Sequence, residues 1–555
     1  MAFPELLQHV GNFGRFQIIL SVLTLLVVIL TSTHNFLEIF SAAIPAHRCY
    51  IHLLDNTTSE TKDTMNLTVE DLLRISIPMG PNQRQEQCRR FRQTQWQLLE
   101  HNELATNTTE LETEPCLDGW TYDQSIFTST IVTQWDLVCD SQSLKSLSQS
   151  IFTAGYTIGA PLSGYTGDRF GRKTVLLAFS LFMAFLGTFS VFAQTFPVYC
   201  TIRFFMSLSL GTIYNNSVVL LLEWLPTNAR PMIATAFSLT ISSGQILLAG
   251  LAYVFRDWHM LQLSTSVPYF VFFLFLWWLS ESARWLIVSG KLEKALKEMK
   301  RVAHLNGRKD VAENLHIEVL KSEMKDELAF LKNNSKKVKA IANPTIQKII
   351  FLLCFLRFSA IFFVYGLMFD LQHLGSDMFL SQALLGVVDL PTKLLSFFVM
   401  KFFKRKPSIA FVFSLAGFLT FINIFIPQDI PFMRLGIAMM GKGSMAMYFS
   451  ISVTYNHEFT PTAIRSTMQG LLAFTSGVAA TLGSLVSITR QYFEPLPMIL
   501  YGTFPIVASI CVYFLPETMN LPLPDTIEEV EKRDKNYRKK CTKEQINNLL
   551  DTTEC

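Results

Sequence analysis

Apolar stretches long enough to cross a bilayer recur at about 16–44, 144–165, 174–195, 197–222, 231–254 and 260–279, then at about 346–370, 379–400, 407–426, 431–456, 466–489 and 495–515. About 20 apolar residues in helical conformation cross a hydrocarbon core, so the pattern predicts twelve transmembrane helices in two sets of six. Gly155, Pro161, Asn215, Asn216 and Pro391 interrupt these runs. A bundle tolerates them because neighbouring helices satisfy the backbone groups they free. The first run follows Glu5, His9 and Arg15 and has no small-residue cleavage site after it, which marks it as a retained span rather than a signal peptide.

Two polar intervals set the orientation. The first, 45–143, carries Cys49, Cys88, Cys116 and Cys139, with N-x-[ST] sequons at Asn56, Asn66 and Asn107. Clustered cysteines beside glycosylation acceptors point to an extracellular, oxidising compartment; spacing does not choose among the possible disulfide pairings. The second, 280–345, is rich in Lys and Arg, which favours the cytoplasmic side. Five spans separate them, so the two loops face opposite sides and both termini lie in the cytosol. The expected plan is a cytoplasmic N-terminus 1–15, a six-helix bundle 16–279 containing the extracellular loop, a helical linker 280–345, a second bundle 346–515 and a tail 516–555. In the linker, Leu292, Leu296, Met299 and Val302 share one stripe at helical spacing, the pattern of an amphipathic cap.

Composition narrows the class. The chain of 555 residues is 50% hydrophobic and 16% charged, against roughly 25% charged for soluble proteins. That excludes an ordinary soluble enzyme and a disordered chain. A net charge of +3 gives no reason to expect a nucleic-acid partner. The histidines His34, His259 and His457 form no metal-ligand spacing, and neither a nucleophile–base pair nor a phosphate-cradling glycine loop is present, so no catalysis, metal or cofactor is expected.

An internal repeat carries the mechanism. Glu223-Trp224-Leu225-Pro226-Thr227-Asn228-Ala229-Arg230 matches Glu458-Phe459-Thr460-Pro461-Thr462-Ala463-Ile464-Arg465 at an offset of 235 (458 − 223). Leu279-Ser280-Glu281-Ser282 matches Leu515-Pro516-Glu517-Thr518 at an offset of 236 (517 − 281). Each octet follows the fourth span of its half and each tetrad the sixth. Two parallel six-helix halves suit an alternating-access transporter, whose site lies where the halves meet. Between spans two and three stands Gly164-Tyr165-Thr166-Gly167-Asp168-Arg169-Phe170-Gly171-Arg172-Lys173. Its glycines suit close helix approach and a tight turn, and Asp168 suits a cation or a helix N-terminus. Arg169 and Arg172 can pair with Glu223 or Glu458. With Arg230 and Arg465, these groups form the expected gate, a clasp released as the cytoplasmic side opens.

The Gly-x-x-x-Asp-Arg-x-Gly-Arg-Lys loop resembles the signature of the major facilitator superfamily. Ala42-Ala43-Ile44-Pro45, His47-Arg48-Cys49, Cys88-Arg89-Arg90-Phe91, Asp118-Gly119-Trp120, Trp135-Asp136-Leu137-Val138-Cys139 and Glu281-Ser282-Ala283-Arg284-Trp285-Leu286 resemble solute carrier family 22 over almost the whole chain. Met1-Ala2-Phe3, the run 75–99 and Leu521-Pro522-Leu523-Pro524-Asp525-Thr526-Ile527 are similar to its organic anion transporter branch, near the urate and steroid-conjugate transporters. The resemblance implies a major facilitator fold at the plasma membrane. It also implies sodium-independent movement of amphipathic organic anions, exchanged for another anion, by a monomeric transport unit with no cofactor.

An anion in a low-dielectric bundle needs a counter-charge, and an intramembrane ionisable residue is a site candidate by default. Lys393 is the first candidate: it lies mid-span, four residues after Asp389 on the same helical face, and the branch carries a cation at the matching position. Arg203, Arg357 and Lys442 are weaker candidates, expected to snorkel or to pair with Glu38 or Asp370. The aromatic candidates are Tyr214, Phe362, Phe363, Tyr365, Tyr448 and Phe449, joined by Gln245; the branch places pocket aromatics where Tyr365 and Phe449 stand. Two departures matter. Gly477 stands where the branch commonly has an arginine, and Ile39 where it commonly has Asn. With one guanidinium lost, Lys393 is expected to be the main cation, favouring bulky monoanions such as steroid sulfates over compact dianions. The competing readings are the same fold moving a zwitterion, a neutral steroid or a cation, and a membrane sensor without transport.

Overall fold

The structure is a computed structural model describing residues 14–55, 68–80, 85–100, 112–226, 229–308, 343–369, 377–427, 430–460 and 465–519, with isolated positions 11, 310, 313, 315–317 and 532. Asn56, Asn66 and Asn107 lie outside them, and so do the side chains of Arg230 and Arg465. The chain divides into two compact units. Unit 1 comprises 1–37, 147–253 and 262–555, and unit 2 comprises 38–146 and 254–261. The six-helix halves fall largely within unit 1, and the first polar loop, with the connection after span five, forms unit 2.

The helices of unit 1 follow the apolar pattern. They are α1 (Arg15–Phe36), α2 (Ser143–Phe170), α3 (Arg172–Phe189), α4 (Phe196–Trp224), α5 (Arg230–Val254), and α6 (Trp258–Ser266) continued by α7 (Pro268–Trp278) as one broken crossing. The amphipathic α8 (Leu292–Leu305) precedes α9 (Pro344–Phe369), α10 (Met378–Phe402), α11 (Arg405–Phe425), α12 (Pro431–Phe459), α13 (Arg465–Val486) and α14 (Leu496–Val512). Among the described residues nine crossings pass on length and hydropathy alone. The other three are α2, α12 and the short α14.

Each half has its own apolar core. One is built on Leu20, Met183, Leu210, Leu220, Trp224 and Tyr269, the other on Leu356, Phe363, Phe413, Met445, Ile451 and Tyr501. The packing partners repeat: α3 packs on α4 and α7 as α11 packs on α12 and α14, and α1 packs on α4 and α7 as α9 packs on α12 and α14. The repeat read in the octets is thus a repeat of packing. Met299 and Val302 of α8 are buried, with Leu292 and Leu296 partly so against the first core. Asn306, just past its end, accepts from the Phe16 N–H (3.1 Å) and donates to Gln17 (3.0 Å).

The low hydropathy of α2 has a packing reason. A Cβ at Gly155 would meet the Phe204 carbonyl, one at Gly159 the Leu208 backbone, and one at Gly167 the Asn216 side chain. The constant step of 49 (204 − 155, 208 − 159, 216 − 167) is the register of two parallel helices whose backbones touch. Small residues at every fourth position allow this approach. Thr212 and Asn216 then reach carbonyls of Gly159 and Ser163 (both 3.4 Å). α2 also runs further than expected: Gly164 to Phe170 are helical, and the turn falls at Gly171, whose φ of +99° suits glycine.

Unit 2 has two short antiparallel pairs. β1 (His47–Cys49) pairs β4 (Trp120–Tyr122), and β2 (Arg89–Phe91) pairs β3 (Thr113–Pro115). Cys49 is bonded to Cys116 and Cys88 to Cys139. His47, Cys88 and Cys139 bring ligand atoms together, but the two sulfurs are spent in that disulfide. A unit with so little core relies on such staples. Ion pairs add to them: Arg48 holds Asp55 by two bonds (2.6 and 2.7 Å), and Arg90 bridges Asp118 (2.6 Å) and Glu114 (2.9 Å). Trp258 closes the unit by donating to Gln134 (2.9 Å).

Burial opposes ionisation of Asp55, yet the Arg48 guanidinium, the Ile51 N–H and the Thr121 hydroxyl outweigh it and hold the carboxyl below its usual range. The Arg90 hydrogen bond does the same for Asp118. A carboxyl with a depressed folded pKa contributes stability above its unfolded value, near 4, and loses it as pH falls through the folded one. Hydrogen exchange corrected for intrinsic rates is therefore expected to show segments 47–55 and 112–122 loosening below about pH 4. Asp55→Asn should loosen 47–55 already at pH 7, by about 1.5–3 kcal/mol. In unit 1, Gly159→Leu forces the α2 and α4 backbones apart and should cost at least about 1–3 kcal/mol in the thermal unfolding of detergent-purified protein. Gly250→Ala, where a Cβ meets nothing within 4 Å, should be near neutral.

Candidate functional site

Matched charge clusters sit at one end of unit 1, the end holding the α2–α3 turn. Glu281 accepts from the Lys173 N–H (3.0 Å) at the start of α3, and Glu517 accepts from the Arg405 and Lys406 N–H groups (3.0 and 3.1 Å) at the start of α11. A helix N-terminus offers orphan N–H donors and a positive dipole end, so a carboxylate is the natural cap. Arg172, beside the first cap, contacts Asp168 (2.7 Å) and Glu223 (3.4 Å) and donates to the Gly167 carbonyl (2.6 Å). Arg405, beside the second, contacts Glu458 (3.6 Å), which also takes the Thr518 hydroxyl. The repeated octets and tetrads thus meet in space as Arg172–Glu223–Glu281 and Arg405–Glu458–Glu517.

Of the pairs expected for the clasp, Arg172–Glu223 is formed. Each arginine pairs inside its own half, and among the described residues no ion pair joins the halves at this end. Arg169 donates to the Tyr165 hydroxyl (2.8 Å) and lies over the Phe170 ring, away from both glutamates. Arg405 was not singled out from sequence. Its signal is Phe403-Lys404-Arg405-Lys406, a degenerate copy of Phe170-Gly171-Arg172-Lys173 at an offset of 233 (405 − 172).

The halves meet elsewhere. Ser150 of α2 hydrogen-bonds Ser484 of α13 (3.0 Å), and a Cβ at Gly477 would collide with Thr157. Thr157 lies seven residues beyond Ser150, and Gly477 seven before Ser484, the register of two antiparallel helices. Seven further in the same direction come Gly164 and Gly470. There a Cβ on either meets nothing within 4 Å. Contact at one end of this helix pair and open space at the other is the geometry of halves parted at the turn end.

A second junction carries charge. On α5, Ser238, Ser242 and Gln245 face Gln382, Asp389 and Lys393 of α10. Lys393 donates to the Ser238 carbonyl (2.7 Å) and the Ser242 hydroxyl (2.8 Å), and Ser242 donates to Asp389 (3.1 Å). Asp389 takes its ion pair from Lys442 of α12 (3.2 Å), not from Lys393. Lys442 also donates to Gln245 (3.0 Å) and to the Leu385 carbonyl, and Gln245 donates to the Gln382 carbonyl (3.3 Å). Spacing on α10 pointed to an Asp389–Lys393 pair; the third helix decides otherwise, since Lys442 reaches the same carboxylate. Gln245 closes this junction.

Aromatic side chains of both halves define the remaining candidate space. Tyr156, Tyr214, Tyr365 and Phe449 sit deep in the bundle yet keep accessible surface. Tyr214 meets Phe237 edge-on at 5.0 Å. Arg357 of α9 lies over the Phe449 ring at 5.0 Å and donates from Nε to Ser476 (2.9 Å). The hydroxyls of Tyr156, Tyr214 and Tyr448 are within its electrostatic reach. Arg357 therefore neither snorkels nor pairs with a carboxylate among the described residues, and Lys393 is not the sole inner cation. Other candidates fall away from this space. Phe362 packs among Phe358, Tyr501 and Phe504, and Phe363 is buried in the same core. Tyr448 is buried with its ring against Phe413 at 4.6 Å. Arg203 is buried over Phe152 at 4.2 Å.

Residues 91–531 match the family model described as sugar (and other) transporter. Solute carrier family 22 member 22 of Mus musculus is 47% identical over 100% of both chains. Solute carrier family 22 member 12 of Rattus norvegicus is 44% identical over 96% of each. Steroid transmembrane transporter SLC22A24 of Homo sapiens is 43% identical over 97% of this chain and 98% of that one. Among solved structures, the partially occluded inward-open conformation of the E. coli xylose transporter XylE aligns with a TM-score of 0.58 at 15% identity, covering 92% of this chain and 100% of that one. Its inward-open conformation gives 0.56 at 18% identity, covering 71% and 89%; at such identity the likeness speaks for the fold alone. The relatives are transporters, not enzymes, as the sequence led us to expect. With the family model covering most of its length and relatives matching it end to end, the chain belongs to solute carrier family 22, a multi-pass membrane transporter of the major facilitator fold.

Proposed function

We propose that this chain moves amphipathic organic anions, such as steroid sulfates, glucuronides and related carboxylates, across the plasma membrane by alternating access. The movement is independent of sodium and coupled to exchange of a second anion. The observation that carries this reading is the charge balance inside the bundle: Lys393, Lys442 and Arg357 stand against Asp389 at the junction and the central space. Removing an ion from water costs several kcal/mol even after relaxation, and an excess of cation offsets that cost for an anion while raising it for a cation. The ring faces of Tyr214, Tyr365 and Phe449 suit an aryl or steroid body, at roughly 0.5–1.5 kcal/mol per ring pair beyond area burial. One relative is itself named a steroid transmembrane transporter.

In this reading the turn end, with its Lys- and Arg-rich linker, is cytoplasmic, and both termini lie there. Unit 2, with its disulfides, is extracellular. The state described is then open to the cytosol. The return stroke brings Gly164 against Gly470 while the Ser150–Ser484 and Gln245–Gln382 contacts part. The clusters at Glu281 and Glu517 keep each half rigid as it rocks.

Cells expressing the chain are expected to take up radiolabelled estrone sulfate at rates unchanged when sodium is replaced by choline, and faster when preloaded with an unlabelled organic anion. Uptake of organic cations or neutral steroids in preference to every sulfated, glucuronidated or carboxylated probe would overturn the anion reading. For the stroke, Gly164→Trp and Gly470→Trp fill space that is open here and closed in the opposite state. Each should cut uptake at least tenfold at normal surface abundance; normal turnover in both would show that this helix pair does not close.

A further inference from the structure

We infer that Arg357, rather than Lys393 or Lys442, grips the anionic group of the cargo, and that Ser476 and Phe449 hold its guanidinium in place for that task. The inference rests on the anion reading above and names its binding residue. The first argument is a count of donors. An ammonium has three N–H donors and a guanidinium five. Lys442 has spent all three, on Gln245, the Leu385 carbonyl and Asp389. Lys393 has spent two, on Ser238 and Ser242. Arg357 has spent one, Nε to Ser476, so among the described residues its two terminal nitrogens keep their N–H groups for another acceptor.

The second argument is the mounting. The Ser476 hydroxyl donates to the Leu472 carbonyl (2.7 Å), so its oxygen is turned to accept from Arg357 and cannot swing round to compete with an anion. The Phe449 ring under the guanidinium fixes its plane. One edge is tied, one face is covered, and the outer fork keeps its N–H groups for another acceptor. A fork held in this way matches an oxyanion with two oxygens in one plane, a carboxylate or the sulfate of an ester, by paired N–H···O bonds. The tyrosine hydroxyls supply further donors to it, and the rings receive the apolar body.

The third argument is cost. An arginine inside a membrane bundle without a carboxylate is expensive and marks a functional position. Lys442 is offset by Asp389, and Lys393 reaches the same carboxylate through Ser242. Among the described residues Arg357 has only a hydroxyl and a ring, and an incoming anion completes its shell.

The test uses the full-length chain in cells, with rates normalised to surface abundance, and radiolabelled estrone sulfate as probe. Arg357→Gln should raise KM at least tenfold, Arg357→Lys should restore part of the loss, and Ser476→Ala should raise KM about two- to fivefold with Vmax little changed. Lys393→Ala, which loosens a junction between halves, should lower Vmax more than it raises KM. In the wild-type chain, modification of Arg357 by p-hydroxyphenylglyoxal, read by mass spectrometry, should be slowed by estrone sulfate and not by neutral estrone. This arm stands even where a variant fails to reach the surface. An Arg357→Gln KM within twofold of wild type, or modification of Arg357 unaffected by estrone sulfate, overturns the inference while leaving anion transport intact. Absence of anion uptake by the wild-type chain overturns the reading beneath it.

Discussion

Lipid offers an ionised group nothing, so every charge inside the bundle must be met by the protein or by what it carries. That constraint orders unit 1. Glu281 and Glu517 are met by backbone N–H groups at helix starts, and Arg172 and Arg405 by glutamates of their own half. Lys393, Asp389 and Lys442 are met by one another and by α5, in a chain of donors running from Ser238 to Gln382. Charges satisfied within a half make that half rigid. Of those satisfied across the halves, Asp389 keeps Lys442 whichever way α5 moves, whereas Lys393 gives up its Ser238 and Ser242 acceptors when the junction parts.

The duplicated sequence supplies the rest of the mechanics. In the proposed stroke, two halves with the same packing partners and the same carboxylate-capped helix starts act as matching levers. Beside Lys393 and Asp389, their junctions rest on hydroxyls, amides and glycines, which make close, weak contacts. The run from Ser150–Ser484 through Thr157–Gly477 to Gly164–Gly470 is one helix pair, shut at one end and parted at the other. Small side chains along the whole seam let it close at either end without repacking the cores.

Much of this was legible in the residues. Apolar runs separated by polar intervals located the crossings, and octets and tetrads at nearly one offset located the matched clusters before any contact was known. α2 and α12, which the apolar pattern did place, owe their position to small and polar residues packed against neighbouring helices, so hydropathy understates them. Two kinds of feature escaped. Arg405 sits in a copy of the turn motif too worn to recognise without its partners Glu458 and Glu517. Among the aromatics, Phe362 and Phe363 look like pocket residues in sequence and are core in space, because a helix with rings all round does not reveal which side faces the cavity.

Electrostatic pairing shows the same division. Asp389 and Lys393 stand four residues apart on one helix, and no sequence rule separates that pair from the one between Asp389 and Lys442, which lies 53 residues away and on another helix. By itself, the sequence determined that the chain is a twofold-repeated membrane bundle with cations inside it. Which cation is neutralised, which is spent on a junction and which keeps its donors open was decided only by tertiary structure. Hydrophobic period is a property of neighbours along the chain, whereas the partner of a buried charge is set by which helices pack together.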